Sequence, residues 1–485
     1  MEHEHQRIME RHQRDMDTRR EMTLWAHYAN LTLGIWLITS PFVLGLFDAD
    51  GIASDDVVHV TAERGLRSVA LRNGWLAASD IASGALVVLF SLLSLHRRFA
   101  WAQWANTFVG IWLLFAPLVF WAPSAAAYAN DTLVGCLIIA LAVLVPMMPG
   151  MSMRGMAFGP DIPPGWDYSP SDWLQRLPII AFAVLGFFIA RHLTAYQLGH
   201  IPGVWDPYFT SADAAENGTE FIITSSVSQA WPIADAGLGA LTYAIEALSG
   251  AMGSRRRWRT MPWMVALFGV LVVPLGAVSI FFIIIQPIML GTWCTLCLVT
   301  AAAMVVMIPY SLDELVAMGQ FLAYAHRRDR SWRSLWRVFW RGDAMEGGRI
   351  AERSEFDAPL AHMLREMASG GVNYPWTLLL CVGIGVWLMC TRLIFGTDGA
   401  MANSDHLIGA LVITFTFAAF AEVGRSIRFI NLLFGAWLII APWVLDGAGP
   451  LAAAGSVVAG VLLMSVSVPR GKVRYRYGGW DLYIL

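Results

Sequence analysis

Apolar runs of about twenty residues, separated by polar connections, recur along most of the chain. They lie near residues 27–47, 75–95, 101–121, 131–149, 176–198 and 235–252, then 261–285, 289–310, 376–396, 405–423, 429–446 and 451–467. Each run is long enough to cross a hydrocarbon core of about 30 Å as a helix. Lipid offers no partner to an unpaired backbone group, so helix is the form expected. The pattern predicts an all-α polytopic membrane protein with about twelve transmembrane helices.

The polar connections set an orientation. Arg97, Arg98, Arg154, Arg255, Arg256, Arg257, Arg259, Arg425, Arg428 and the tail residues Arg470, Lys472, Arg474 and Arg476 all fall between or after even-numbered runs. Lys and Arg near membrane ends are retained on the cytoplasmic side. The alternate connections are acidic, with Asp48, Asp50, Asp55 and Asp56 in one, and Asp206, Asp213, Glu216 and Glu220 in another that has no Lys or Arg. Both termini are therefore expected in the cytoplasm, with residues 1–24 a polar tail rather than a cleavable leader.

Composition agrees with this reading. Of 485 residues, 57% are hydrophobic and 14% charged, against roughly 25% charged in a soluble domain. A net charge of -3 gives no reason to expect a nucleic-acid partner; the expected surroundings are a lipid bilayer. Two connections stand apart. The outer loop 199–234 is long and carries Trp205, Tyr208, Phe209, Phe221 and Trp231, as a loop does when it packs on something. Residues 322–375 interleave Trp332, Trp336, Phe339 and Trp340 with Arg327, Arg328, Arg330, Arg333, Arg337 and Arg341, the composition of a cytoplasmic amphipathic linker at headgroup level.

The runs also repeat. Asn30, Gly34, Trp36 and Leu37 precede Ser40-Pro41; Asn106, Gly110, Trp112 and Leu113 precede Ala116-Pro117; Asn431, Gly435, Trp437 and Leu438 precede Ala441-Pro442. A degraded copy has Gly385, Trp387 and Leu388, with Cys381 in the Asn place and Arg392 in the Pro place. Return helices carry Asp then Gly four residues on, as Asp80 and Gly84, Asp131 and Gly135, Asp405 and Gly409. Residues four apart share a helix face, where a small residue admits a neighbouring backbone and an amide can bond across the interface. Each unit reads as an out-and-back hairpin. These residues resemble the SPW repeat, a bacterial membrane repeat, over residues 25–150 and 376–469. The resemblance implies structural hairpins that offer surfaces to other membrane proteins.

Five cysteines are too few for a disulfide framework in a chain of this length. Cys136, Cys381 and Cys390 lie inside apolar runs as small hydrophobes. Cys294 and Cys297 form C-x-x-C at the start of the eighth run, on the side the charges place outward, where disulfides persist. Thiols three apart at a helix N-terminus are within disulfide reach, and the exposed amides favour the thiolate. Three readings stand: a working dithiol, an inert pair, or half a metal site. The last needs two further ligands, and only His200, with His192 deeper, is near. No metal site is assigned.

Residues 173–321, with C-x-x-C opening the last of four helices, the loop 199–234 after the first, and a run from Ser228 to Tyr243 containing Trp231-Pro232-Ile233 and Gly237-Leu238-Gly239, resemble the vitamin K epoxide reductase family. The basic turn Arg255 to Arg259 and the trailing Asp313-Glu314-Leu315 fit the same picture. The resemblance implies a central four-helix reductase-like bundle flanked by the paired hairpins, in a bacterial inner membrane with the thiol pair at the periplasmic side. It implies a dithiol that reduces a membrane quinone, ubiquinone or menaquinone, and passes oxidising equivalents to a periplasmic thiol protein. Cys294 would exchange with that partner and Cys297 would face the quinone. Trp231 and Trp293 are candidates to stack on the quinone or to anchor at the interface, and Ser228 to bond a quinone carbonyl or to cap a helix.

Two positions depart from the family. The loop stretch 220–229 has Ser225 and Ser226 where relay cysteines are expected, and Ala301 replaces a quinone-binding tyrosine. An alternative therefore stands beside the thiol-quinone oxidoreductase: a non-catalytic membrane scaffold or assembly factor that retains a reductase-like core.

Overall fold

The structure, a computed structural model, describes residues 2–48, 54–146, 149–211, 216–352, 354–447 and 449–485. Asp50 and Asp213, two of the acidic residues used for orientation, lie outside the described residues. Helices form on every apolar run: α1 (Trp25–Val43), α2 (Val69–Ser94), α3 (Ala102–Val119), α4 (Ala125–Leu144), α5 (Trp173–Gln197), α6 (Asp235–Ala251), α7 (Pro262–Ile285), α8 (Thr295–Asp329), α9 (Trp376–Met389), α10 (Gly399–Phe420), α11 (Ile430–Val444) and α12 (Pro450–Ser467). The described residues contain isolated β-bridges but no sheet.

The fold is thus all-α, and nine helices among the described residues are long and apolar enough to cross a membrane. The expected twelve is not reached on that measure. In α1, His27, Asn30 and Ser40 dilute the hydropathy while facing neighbouring helices, and α6 and α9 are only 17 and 14 residues long. In contrast, α8 has 35 residues, about 52 Å at the rise of a helix. It runs eight residues past the core boundary drawn at residue 321.

Packing follows the repeats. Hairpins α1–α2 and α3–α4 close into one four-helix unit through α2 with α3 and α1 with α4; α9–α10 and α11–α12 do the same through α10 with α11 and α9 with α12. The core, α5 to α8, lies between them, α6 against α3 and α10 against α7 and α8. Each hairpin crosses at a pair of glycines. A Cβ on Gly84 would lie 2.5 Å from the Gly34 carbonyl, and one on Gly135 2.8 Å from that of Gly110; Gly409 and Gly460 meet Gly385 and Gly435 at 2.5 and 2.6 Å. No side chain fits there, so the backbones touch.

The repeated spacing also yields bonds between hairpins. The indole N–H groups of Trp36 and Trp112 donate to Asn130 and Ser79, at 2.8 and 2.9 Å, each acceptor directly preceding the Asp of the facing return helix. Asp80 and Asp131 face each other, fully buried.

The end of the core opposite the cysteines is filled with paired charge. Arg257 is fully buried and donates twice to Glu314 on α8, at 2.6 Å each. Arg176 donates to the carbonyls of Gly250, Met252 and Gly253, and Arg259 to that of Pro160. Arg428 reaches the Leu485 carbonyl at 2.7 Å, and the Tyr477 hydroxyl bonds Glu422 at 3.0 Å, so the C-terminal segment is folded onto this end. Residues 2–23, read as a tail, form a helix, Glu2–Thr23, tied to the first unit by Arg20 on the Leu95 carbonyl and Asp17 on Arg97. Within the linker, Trp332–Arg341 is helical with Trp332 and Trp336 exposed.

Candidate redox site

After α7 the chain makes a π-turn, Gln286–Leu290, and reverses at Gly291, whose φ of +70° suits glycine. This delivers Cys294 to the N-cap of α8, with its sulfur accepting from the Cys297 amide at 3.0 Å. One helical turn sets the two Cα atoms 5.2 Å apart, and Cys294 and Cys297 are joined by a disulfide. The Cys294 amide donates to Gln286 Oε1 at 3.1 Å, so the turn and the disulfide hold each other. Of the other cysteines, Cys381 is buried, Cys136 and Cys390 partly so, and all three are free.

The two sulfurs face different surroundings. Cys294 is fully buried, whereas Cys297 lines a cavity of about 460 Å³ between α5, α6, α7 and α8. The wall is mostly aliphatic and aromatic, including Leu193, Leu238, Phe282 and Ile283, with Asp235, Thr242, Tyr243 and Gln286 as polar points. Trp231 and Val278, on the same wall, are exposed, so the cavity is not sealed.

Over Cys294 lies the outer loop. Asp206 ties it down: its carboxylate accepts from the amides of Tyr208, Phe209 and Thr219, from the Thr219 hydroxyl at 2.7 Å, and from the amide and hydroxyl of Thr295 at 3.1 and 2.5 Å. One side chain thus joins the loop, the short helix Gly218–Thr224 and the first turn of α8. Burial pushes the Asp206 carboxyl up, but the hydrogen bonds from Thr295, Thr219 and Tyr208 outweigh it and bring the pKa down to about 2. A depressed carboxylate contributes its stability above its ordinary pKa of 3.8 and loses it as pH falls through about 2. Asp206 is therefore ionised at physiological pH. Thr292 adds a bond to the Thr210 carbonyl at 2.8 Å, and Gly218 packs so closely on the Trp293 carbonyl that a Cβ has no room.

The residues expected at the site separate accordingly. Trp231 lines the cavity. Trp293 does not; it stacks on Phe209 at 6.1 Å and meets the edge of His406 on α10 at 4.8 Å, as part of the cover. Ser228 also stands outside the wall, buried, donating to Asp235 at 2.8 Å and accepting from Gln197 at 2.9 Å, so it orients the carboxyl that does line it. Ser225 gives its hydroxyl to the Ile222 carbonyl at 2.7 Å. Ala301 lines the cavity, and a tyrosine approaches from another helix: Tyr243 on α6 shares the wall, its hydroxyl on the Thr300 carbonyl at 3.1 Å. Asp206, read only as an acidic orientation marker, and Asp235, Tyr243 and Gln286 were not expected at the site from the sequence. The W-D-P context of Asp206 and the C-terminal position of Gln286 in its apolar run were the only traces.

Residues 177–312 match the model of the Vitamin K epoxide reductase family, and residues 68–145 and 375–469 match the SPW repeat domain. The first covers nearly all of α5 to α7 and half of α8; the second covers α2 to α4 and α9 to α12. Comparison with curated proteins and with solved structures gives no match. The match of the membrane-embedded core to the first of these models, between two matches to the second, supports a thiol-oxidoreductase-like function in the membrane.

Proposed function

We propose that the core is a thiol-quinone oxidoreductase that generates disulfides at the periplasmic face of a bacterial inner membrane, with both termini in the cytoplasm. The observation that carries this reading is the division of labour within the C-x-x-C. One sulfur borders an unsealed apolar cavity and the other lies beneath a polar loop. A membrane quinone, ubiquinone or menaquinone, supplies an acceptor for two electrons and two protons. The cavity suits such a head group: its walls are apolar, the Gln286 amide can donate to a ring carbonyl, and Asp235 can accept from a quinol hydroxyl.

In the reduced protein, Cys297 gives up its electrons toward the cavity as it bonds to Cys294, and the two thiol protons leave with them. Trp231 provides an aromatic wall, and Ser228 holds Asp235 in place. A periplasmic dithiol then attacks at Cys294; its own sulfurs end as a disulfide, and Cys294 and Cys297 return as thiols. Because Cys294 is covered, this step requires the loop around Asp206 to move.

The test uses the full chain in lipid nanodiscs, reduced and freed of reductant, then mixed with a short-chain ubiquinone or menaquinone. Quinol formation and disappearance of alkylatable Cys294 and Cys297 are followed together. The wild type is expected to give one quinol per disulfide, Cys297→Ser none, and Trp231→Ala a raised KM with a smaller change in kcat. If the wild-type thiols persist while quinone is in excess, the scaffold reading takes its place. That reading draws support from the buried Cys294 and from serines where relay cysteines are expected.

A further inference from the structure

The N-terminus of α8 serves two acceptors at once. The Cys297 amide points to the Cys294 sulfur at 3.0 Å, and the Thr295 amide, one residue after Cys294, points to the Asp206 carboxylate at 3.1 Å. In a dithiol these amides and the helix dipole are what stabilise the thiolate of the first cysteine. Here a full negative charge already sits on the first of them. All the hydrogen bonds to that carboxylate come from uncharged donors, so nothing among them neutralises it.

We propose that Asp206 sets the redox potential of the Cys294–Cys297 pair: its carboxylate, fixed at the first amide of α8, disfavours the Cys294 thiolate and so holds the disulfide harder to reduce than a C-x-x-C at an open helix terminus. Asp206 is a positioning residue that acts through α8. The inference rests on the dithiol reading above but requires no quinone. It gives the acidic outer loop a role in place of relay cysteines: a lower potential is the driving force for passing electrons from the dithiol onward.

The experiment equilibrates the full-length protein in nanodiscs, without quinone, against mixtures of reduced and oxidised dithiothreitol. Reduction of the pair takes two electrons and two protons from dithiothreitol, which closes to its cyclic disulfide. The fraction reduced is read as the maleimide mass shift of Cys294 and Cys297. At about pH 10, above both thiol midpoints, Asp206→Asn is expected to shift the equilibrium about tenfold toward the dithiol, a rise of about 30 mV, and the shift should shrink toward neutral pH as the thiol protonates. It should also lower the pH midpoint of Cys294 alkylation by about one unit. Thr295→Val loosens the loop but keeps the charge; it should speed alkylation and leave the potential unchanged. An unchanged or lower potential in Asp206→Asn, or an equal shift in Thr295→Val, overturns the proposal and leaves Asp206 as a structural tie.

Should Asp206→Asn fail to fold, the wild type decides. Its Cys294 must alkylate with a midpoint at or above about 8.5, the value of a free thiol, and a midpoint near 7 overturns the proposal. A pair that no dithiothreitol ratio reduces overturns both this inference and the dithiol reading. A normal potential shift with no quinol formation supports this inference and removes only the quinone.

Discussion

The two four-helix repeat units use the same backbone crossing and fill it differently. In the first, Asn106 on α3 bonds Ser91 on α2 at 3.2 Å; in the second, Asn431 on α11 bonds Thr416 on α10 at 3.0 Å, eleven residues beyond Asp80 and Asp405 respectively. The partner hairpin of the second unit has Cys381 against Ser467 at 3.5 Å instead. At the centre, Asp80 faces Asp131 in the first unit, whereas Ser456 donates to Asp405 at 3.4 Å in the second. Two carboxyls hydrogen-bond only when one carries the proton, while a serine brings its own donor. Trp437 donates to Ser404 at 2.8 Å as its counterparts do, but Trp387 meets Gly455, which has no side chain to accept. The comparison teaches that glycines fix the crossing, while the polar contacts around it differ from one unit to the other.

The strongest way to break that comparison is at the glycines. Gly84→Leu should cost about 3 kcal/mol or more, because the Gly34 carbonyl leaves no room, and Gly460→Leu should cost the same in the second unit. Thermal unfolding in detergent would expose any inequality, and tolerance in one unit would mean that its crossing is not set by glycine. Next in size, Ser456→Ala strands Asp405 without its serine donor and is expected to cost about 1–3 kcal/mol, whereas Asp131→Ser, which gives the first unit the chemistry of the second, should stay within about 1 kcal/mol of wild type. An Asp131→Ser loss as large as that of Ser456→Ala would show that the carboxyl pair does more than close the interface. The smallest effect separates the tryptophans: Trp437→Phe should lose about 0.5–1.5 kcal/mol and Trp387→Phe close to nothing, by the same unfolding measurement.

Legibility differed by the kind of contact involved. Glycine and tryptophan positions in the hairpins could be read from spacing, since residues three and four apart share a face whatever surrounds them. The basic turns read as topology markers, but Arg257, Arg259, Arg425 and Arg428 are also buried structural parts, held by a carboxylate or by backbone carbonyls from distant segments. The C-x-x-C was plain because both residues lie within one turn. Its surroundings were not: Asp206 lies 89 residues from Thr295, and Gln197 meets Ser228 across 31. For Ser228 the sequence left two uses open, a quinone carbonyl or a helix cap, and in the fold its hydroxyl donates to Asp235.

By itself the sequence determined that the chain is helical and membrane-embedded, where its hairpins cross, and which two sulfurs can pair, because these follow from hydropathy and from periodicity along a single helix. Only the tertiary structure decided which of the candidate aromatic rings lines the cavity, and that a loop carboxylate occupies the same helix end as the disulfide. Those facts depend on how α5 to α8 and the outer loop fit together, and a lipid-facing run of Leu, Ile and Val encodes burial without specifying the partner it is buried against.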